Sequence, residues 1–178
     1  MTSPAERELL LRIAREAIAA HVGAFAAPVT DVAGVLARKG GAFVTLNLRG
    51  ALRGCIGHVN VDEPLARVIP RCAVAACSGD PRFDPVTAAE LPRLVLEISL
   101  LEPLEAITEA AEVEVGRHGL VVERGWHRGL LLPQVATDWG WDRETFLAET
   151  CRKAGLPRDA WKQGATLWRF EAEVFGEP

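Results

Sequence analysis

The chain has 178 residues, a formal net charge of -4, and 49% hydrophobic against 25% charged residues. That suits one compact domain, or two closely packed subdomains, and no stretch reaches the about 18 to 20 apolar residues that cross a bilayer. The acidic balance argues against a general affinity for nucleic acid, and the charged N-terminus has no apolar signal-peptide centre, so a cytoplasmic protein is expected.

Ser3, Pro4 and Glu6 make a capping box with proline at the first helical position, and Leu10, Ile13, Ala17 and His21 follow at helical spacing. They predict an amphipathic helix of about 18 residues ending near Gly23. A small-residue linker around residues 26–28 and a turn through Lys39, Gly40 and Gly41 lead into Phe43 to Leu48, which reads as a strand. Arg49, Gly50 and Ala51 break it, and a second short strand or loop carries LRGCIGH, residues 52–58.

Asp62, Glu63 and Pro64 look like a helix start, with Leu65, Val68, Ile69, Cys72 and Ala76 on one face and Pro70 placed to kink or split it. After the turn-rich SGDPRFDPV comes Leu94 to Leu101, apolar enough for a central strand. A strand pair is expected across HGLVVERGWHRGLLLPQVA, turning at Arg124, Gly125 and Trp126. Asp142 caps a helix with a Phe146, Leu147, Thr150, Cys151 and Ala154 stripe, which Gly155 and Pro157 end. TLWRFEAEVF alternates as one half-buried strand with Trp168, Phe170, Ala172 and Val174 on one side. Helices and strands in this irregular order, without repeats, predict an α+β fold.

Four cysteines, at 55, 72, 77 and 151, make no CxxC pair and no zinc-ligand spacing, so neither disulfide, metal nor other cofactor is expected. Cys55 is the one with chemistry around it. Gly54 and Gly57 remove bulk beside it, so a ligand could approach the backbone N–H groups, which can cradle an anion. Arg53 adds a planar fork of donors suited to carboxylate or phosphate, and its charge would also favour a thiolate. In the DPRF loop, Asp80 could orient a base and Arg82 bind a negative group, although a turn held by that pair is an equal reading. A base for Cys55 would come from His21, His58, His118 or His127, and strand alternation turns His58 to the opposite face. That leaves His118, at the start of a strand beside Gly119, as the best distant candidate.

The fragments GAFVTL, LRGCIG, DPRF, EISLL, HGLVV, LLPQVA and CRKAGL occur in an order and spacing that resembles the AMMECR1 family, from about residue 8 to residue 175. The resemblance implies one AMMECR1 domain over 1–178, α+β and mainly antiparallel with packed helices. It implies a larger subdomain from both chain ends, a smaller one from an intervening segment, and a cleft beside LRGCIG. It also implies an association with a Memo-like protein and a radical SAM enzyme, but no reaction. Two functions stand open. One is an enzyme with Cys55 as nucleophile, His118 as acid-base, and Arg53, Gly54, Gly57, Asp80 and Arg82 binding a small anionic ligand. The other is a non-catalytic binding or adaptor module in which Cys55 is chosen for size.

Overall fold

A computed structural model describes residues 1–23, 33–59 and 62–178, so the linker expected around residues 26–28 lies outside the described residues. In chain order the elements are α1 (Pro4–His21), β1 (Ala42–Leu48), β2 (Ala51–His58), α2 (Leu65–Ser78), β3 (Leu94–Leu101), β4 (Glu105–Ile107), β5 (Gly119–Arg124), β6 (His127–Leu131), α3 (Pro133–Asp138), α4 (Arg143–Lys153), β7 (Thr166–Phe170) and β8 (Ala172–Gly176). The fold is α+β, and the chain divides into two compact units. One comprises Met1–Leu101 with Glu173–Pro178, the other Glu102–Ala172.

In the first unit the sheet order is β2-β1-β3-β8, with β1 antiparallel to both of its neighbours. The capping box forms as the sequence predicts: the Glu6 N–H donates to the Ser3 hydroxyl, and the Ser3 N–H donates to the Glu6 carboxylate at 2.8 Å. Leu10, Ile13 and Ile18 of α1 then meet Val68, Ile69 and Cys72 of α2 over Val44, Leu46, Leu96 and Ile98 of the sheet. Each such side chain removed from water contributes about 1.5–3 kcal/mol. Alternation therefore turns Phe43 and Thr45 to the face away from the helices.

The second unit is an antiparallel sheet in the order β4-β7-β5-β6. Leu120, Val122 and Leu167 of this sheet pack with Phe146, Leu147 and Cys151 of α4. Asp142 caps α4 by accepting the Thr145 N–H at 2.8 Å. Gly155, at φ 73°, stops the chain from continuing as helix.

Three readings need correction. TLWRFEAEVF is two strands, β7 and β8, in different sheets, and the buried set changes from Leu167 and Phe170 to Phe175, leaving Val174 exposed. PQVA, read as the end of a strand pair, opens α3, because Pro133 at the first turn suits a helix and lacks the N–H a ladder needs. The helix start read at Asp62, Glu63 and Pro64 holds, with Pro64 at the cap of α2 and Asp62 paired with Lys39 at 2.8 Å. Pro70 does not split α2. Its missing N–H removes one bond, to the Ala66 carbonyl, near the helix start, and the buried face from Leu65 to Cys77 holds the rest.

Candidate functional site

The site grows from a tight hairpin. Arg49 and Gly50 both have positive φ, 55° and 79°, the sense of twist that joins two antiparallel strands through two residues. Pairing proceeds from Leu48↔Ala51 to Asn47↔Leu52 and resumes at Leu46↔Gly54, so Arg53 is the extra residue of a β-bulge. The bulge sets the facing of everything after it. Gly54 lies against α2, where an added Cβ would stand 2.1 Å from the Ala76 carbonyl oxygen. Cys55 consequently faces the other way, opposite Thr45, whose hydroxyl donates to Sγ at 3.2 Å. A Cβ on Gly57 would meet the Phe43 ring at 2.3 Å. Both glycines are thus required by packing, whatever ligand approaches them.

Arg53, re-aimed by the bulge, ties the strand to the loop before β3. Its Nε donates to Glu90 Oε1 at 2.9 Å, Nη1 to the Asp84 carbonyl at 2.7 Å, and Nη2 to the Pro85 carbonyl at 3.2 Å. The hydrogen bond from the Arg53 guanidinium first, then that from the Thr87 N–H, lower the Glu90 carboxyl from 4.5 to about 2. With its side chain 16% exposed and its fork used on three groups, Arg53 is a fastener of the fold.

Asp80 and Arg82 treat the strand edge differently. β2 ends its sheet, so its outer backbone groups need partners. The Cys55 N–H donates to Asp80 Oδ2 at 2.9 Å, and Arg82 Nη2 reaches the Cys55 carbonyl at 3.5 Å: two side chains imitate a neighbouring strand. Arg82 also donates from Nε to Asp80 Oδ1 at 2.9 Å and from Nη2 to Oδ2 at 2.7 Å. These bonds, with the N–H of Cys55, hold the buried Asp80 carboxyl well below the usual carboxylate range, against the upward pull of burial. Arg82 itself stays 55% exposed on its side chain, its guanidinium over the Phe83 ring at 5.4 Å, with Nη1 lacking a partner among the described residues. The result is a charged fork aimed by a buried acid and open to solvent.

Cys55 is half-buried, and burial pushes its pKa up more than the Thr45 hydrogen bond and the Arg82 charge pull it down. Buried Cys72 is pushed up to about 11 for the same reason. His118 lies in the second unit, buried, where the Glu114 N–H donates to its Nδ1 at 3.0 Å, fixing the proton on Nε2. Burial first, then the charges of Arg169 and Arg117, lower its pKa. Gly119 beside it is again a packing glycine, since a Cβ there would enter the Phe170 ring.

The family model for AMMECR1 matches residues 11–175. The chain belongs to the AMMECR1 family. It is 46% identical over 182 residues to a protein of Methanothermobacter thermautotrophicus, covering 97% of this chain and 94% of that one. To the Pyrococcus furiosus protein PF1979 it is 46% identical, covering 96% and 87%. The crystal structure of uncharacterized protein PH0010 from Pyrococcus horikoshii is similar at a TM-score of 0.88 and 44% identity, over 96% of this chain and 90% of that one.

Two residues of this AMMECR1 site escaped the sequence reading. Thr45 faces Cys55 only because of the bulge: pairing counted outward from the turn without it puts Thr45 opposite Gly54. Glu90 lies 37 residues from Arg53 and carries no local pattern that announces the pair.

Proposed function

We propose that this AMMECR1-family protein is a non-catalytic binding module that receives a carboxylate or phosphate at the exposed guanidinium of Arg82, beside Cys55. One observation carries the reading: Asp80 fixes Arg82 by two charge-assisted bonds yet leaves it exposed, so its remaining donors are oriented at little entropic cost. Arg53, saturated by Glu90 and two carbonyls, is not part of the ligand contact, and Gly54 and Gly57 serve packing. The module would act in the cytoplasm with a Memo-like protein and a radical SAM enzyme as partners, on the strength of the family resemblance.

A nucleophilic Cys55 is the second reading, favoured by the partial exposure of the thiol and the pull of the Arg82 charge on it. The upward shift from burial weighs against it. His118 belongs to neither version of the site as a base, because its Nδ1 already accepts a backbone N–H.

The test is a titration with inorganic phosphate and with malonate, read on the arginine Nε–Hε signals by NMR. A saturable shift at Arg82 that vanishes in Arg82→Gln, with Arg53 unmoved, is expected. No saturable shift into the millimolar range, or one that persists in the variant, overturns the binding reading.

A further inference from the structure

The Arg82 corner is one end of a row. On the sheet face turned away from α1 and α2, Cys55, Thr45 and Glu97 stand side by side on β2, β1 and β3, paired as Thr45↔Cys55 and Thr45↔Glu97. Leu96 and Ile98, which flank Glu97 in β3, are buried in the core, and this turns Glu97 to the outer face. After burial, the charges of Asp80 and Glu97 add to the rise of the Cys55 pKa, so Glu97 and the thiol face the same space. The rows on either side carry larger side chains, Phe43 in one and Leu52, Asn47 and Val95 in the other. Cys55 and Thr45 are short, so their row is the floor of a trough that runs across the strands.

Glu97 is the member of this row that the fold does not use. It is half-buried on an inner strand of the sheet, with no hydrogen bond or ion pair among the described residues. Arg53 is closed by Glu90 and Arg82 is held by Asp80, so neither cation serves it. A carboxylate partly withdrawn from water without a partner carries a cost that a bound ammonium relieves. Leu52 and Val95 are exposed along the wall of the trough, and Val174 is exposed on β8, the next strand beyond Glu97. The ends of the row thus ask for opposite charges and its walls for an apolar chain. Strands about 4.8 Å apart put about 10 Å between Cys55 and Glu97, which an extended chain covers in about eight bonds at about 1.2 Å each.

Resting on the Arg82 reading, the geometry points to a zwitterionic ligand, with its carboxylate or phosphate on Arg82, its primary ammonium on Glu97, and an unbranched apolar chain of about eight bonds laid across Cys55 and Thr45. Glu97 selects the amine, and the width of two strand spacings selects the chain length.

The experiment titrates 8-aminooctanoate and octanoate, which share a carboxylate and a chain and differ in the amine, and reads the Arg82 Nε–Hε signal by NMR with inorganic phosphate run beside them. The wild type is expected to bind the amino acid about tenfold more tightly than the plain acid. In Glu97→Gln the two should bind within about twofold of each other. Glu97 has no partner to lose, so thermal melting should show the fold of that variant intact. 4-Aminobutanoate, too short for the row, should gain nothing over butanoate. Equal binding of the eight-carbon pair to the wild type, a preference that survives Glu97→Gln, or the same preference at four carbons each overturn the zwitterionic ligand, while a phosphate shift leaves the Arg82 reading standing. Absence of any Arg82 shift, phosphate included, overturns both.

Discussion

Arg53 sits on β2 and Arg82 reaches it from the loop after α2; both pair with a carboxylate, and they end in opposite states. Arg53 has a side chain 16% exposed and spends its fork on Glu90 and the carbonyls of Asp84 and Pro85. Arg82 has a side chain 55% exposed and spends only part of its fork, on an Asp80 that is itself 2% exposed. In the first pair both partners are shielded and the bond fastens a loop. In the second only the acid is shielded, and the bond aims a cation outward. The residue type alone does not distinguish an arginine whose fork is shut in the fold from one held open to solvent; the burial of both partners does.

The changes that break this comparison most severely act on the strand carrying both corners. Gly54→Ala places a Cβ against the Ala76 carbonyl and is expected to cost at least about 3 kcal/mol in chemical denaturation, with both corners lost together. Asp80→Asn leaves Arg82 without its charged partner and the edge of β2 less well met. A loss of about 2–3 kcal/mol, together with loss of the phosphate response, is expected. If stability falls while the response survives, Asp80 does not aim Arg82.

Arg53→Met sharpens the contrast from the other side. It should cost about 2 kcal/mol by taking the charged partner from Glu90, which keeps only Thr87, and leaving two carbonyls unpaired, yet keep the phosphate shift at Arg82. Acid gives the same information without mutation. Because the folded-state pKa of Glu90 is lowered from 4.5 to about 2, its stabilisation is present above 4.5 and is lost as pH falls toward 2. Denaturation midpoints across that window should fall less steeply for Arg53→Met than for the wild type, since the variant has already lost the pair. Smallest of all, Arg82→Gln should cost about 1–2 kcal/mol, because the buried Asp80 carboxylate loses its charged partner but keeps the Cys55 N–H, while abolishing the phosphate response.

What the sequence disclosed follows the range of the interactions. The capping box at Ser3 and the Asp142 cap lie within three residues of their partners, so local spacing sufficed. The motif LRGCIG and the DPRF loop were each singled out by their residues, and Asp80 and Arg82 do meet Cys55. The division of labour between the arginines was not legible. It depends on a bulge that re-aims Arg53 and on a Glu90 far along the chain. The glycines suggested room for a ligand, but their cause is the approach of Ala76 and Phe43, contacts no pattern within the heptapeptide encodes. The single-strand reading of TLWRFEAEVF failed because alternation describes faces, and Glu171 marks where the chain leaves one sheet for another.

The central claim is that Cys55 stands in a binding element and is not a poised nucleophile. Its most direct test is the rate of iodoacetamide alkylation at Cys55 against pH, followed by peptide mass spectrometry beside a free cysteine peptide. The account predicts alkylation slower than the peptide near pH 7, with an apparent pKa above that of the peptide thiol. Faster alkylation at neutral pH, with a pKa below the peptide's, would contradict it.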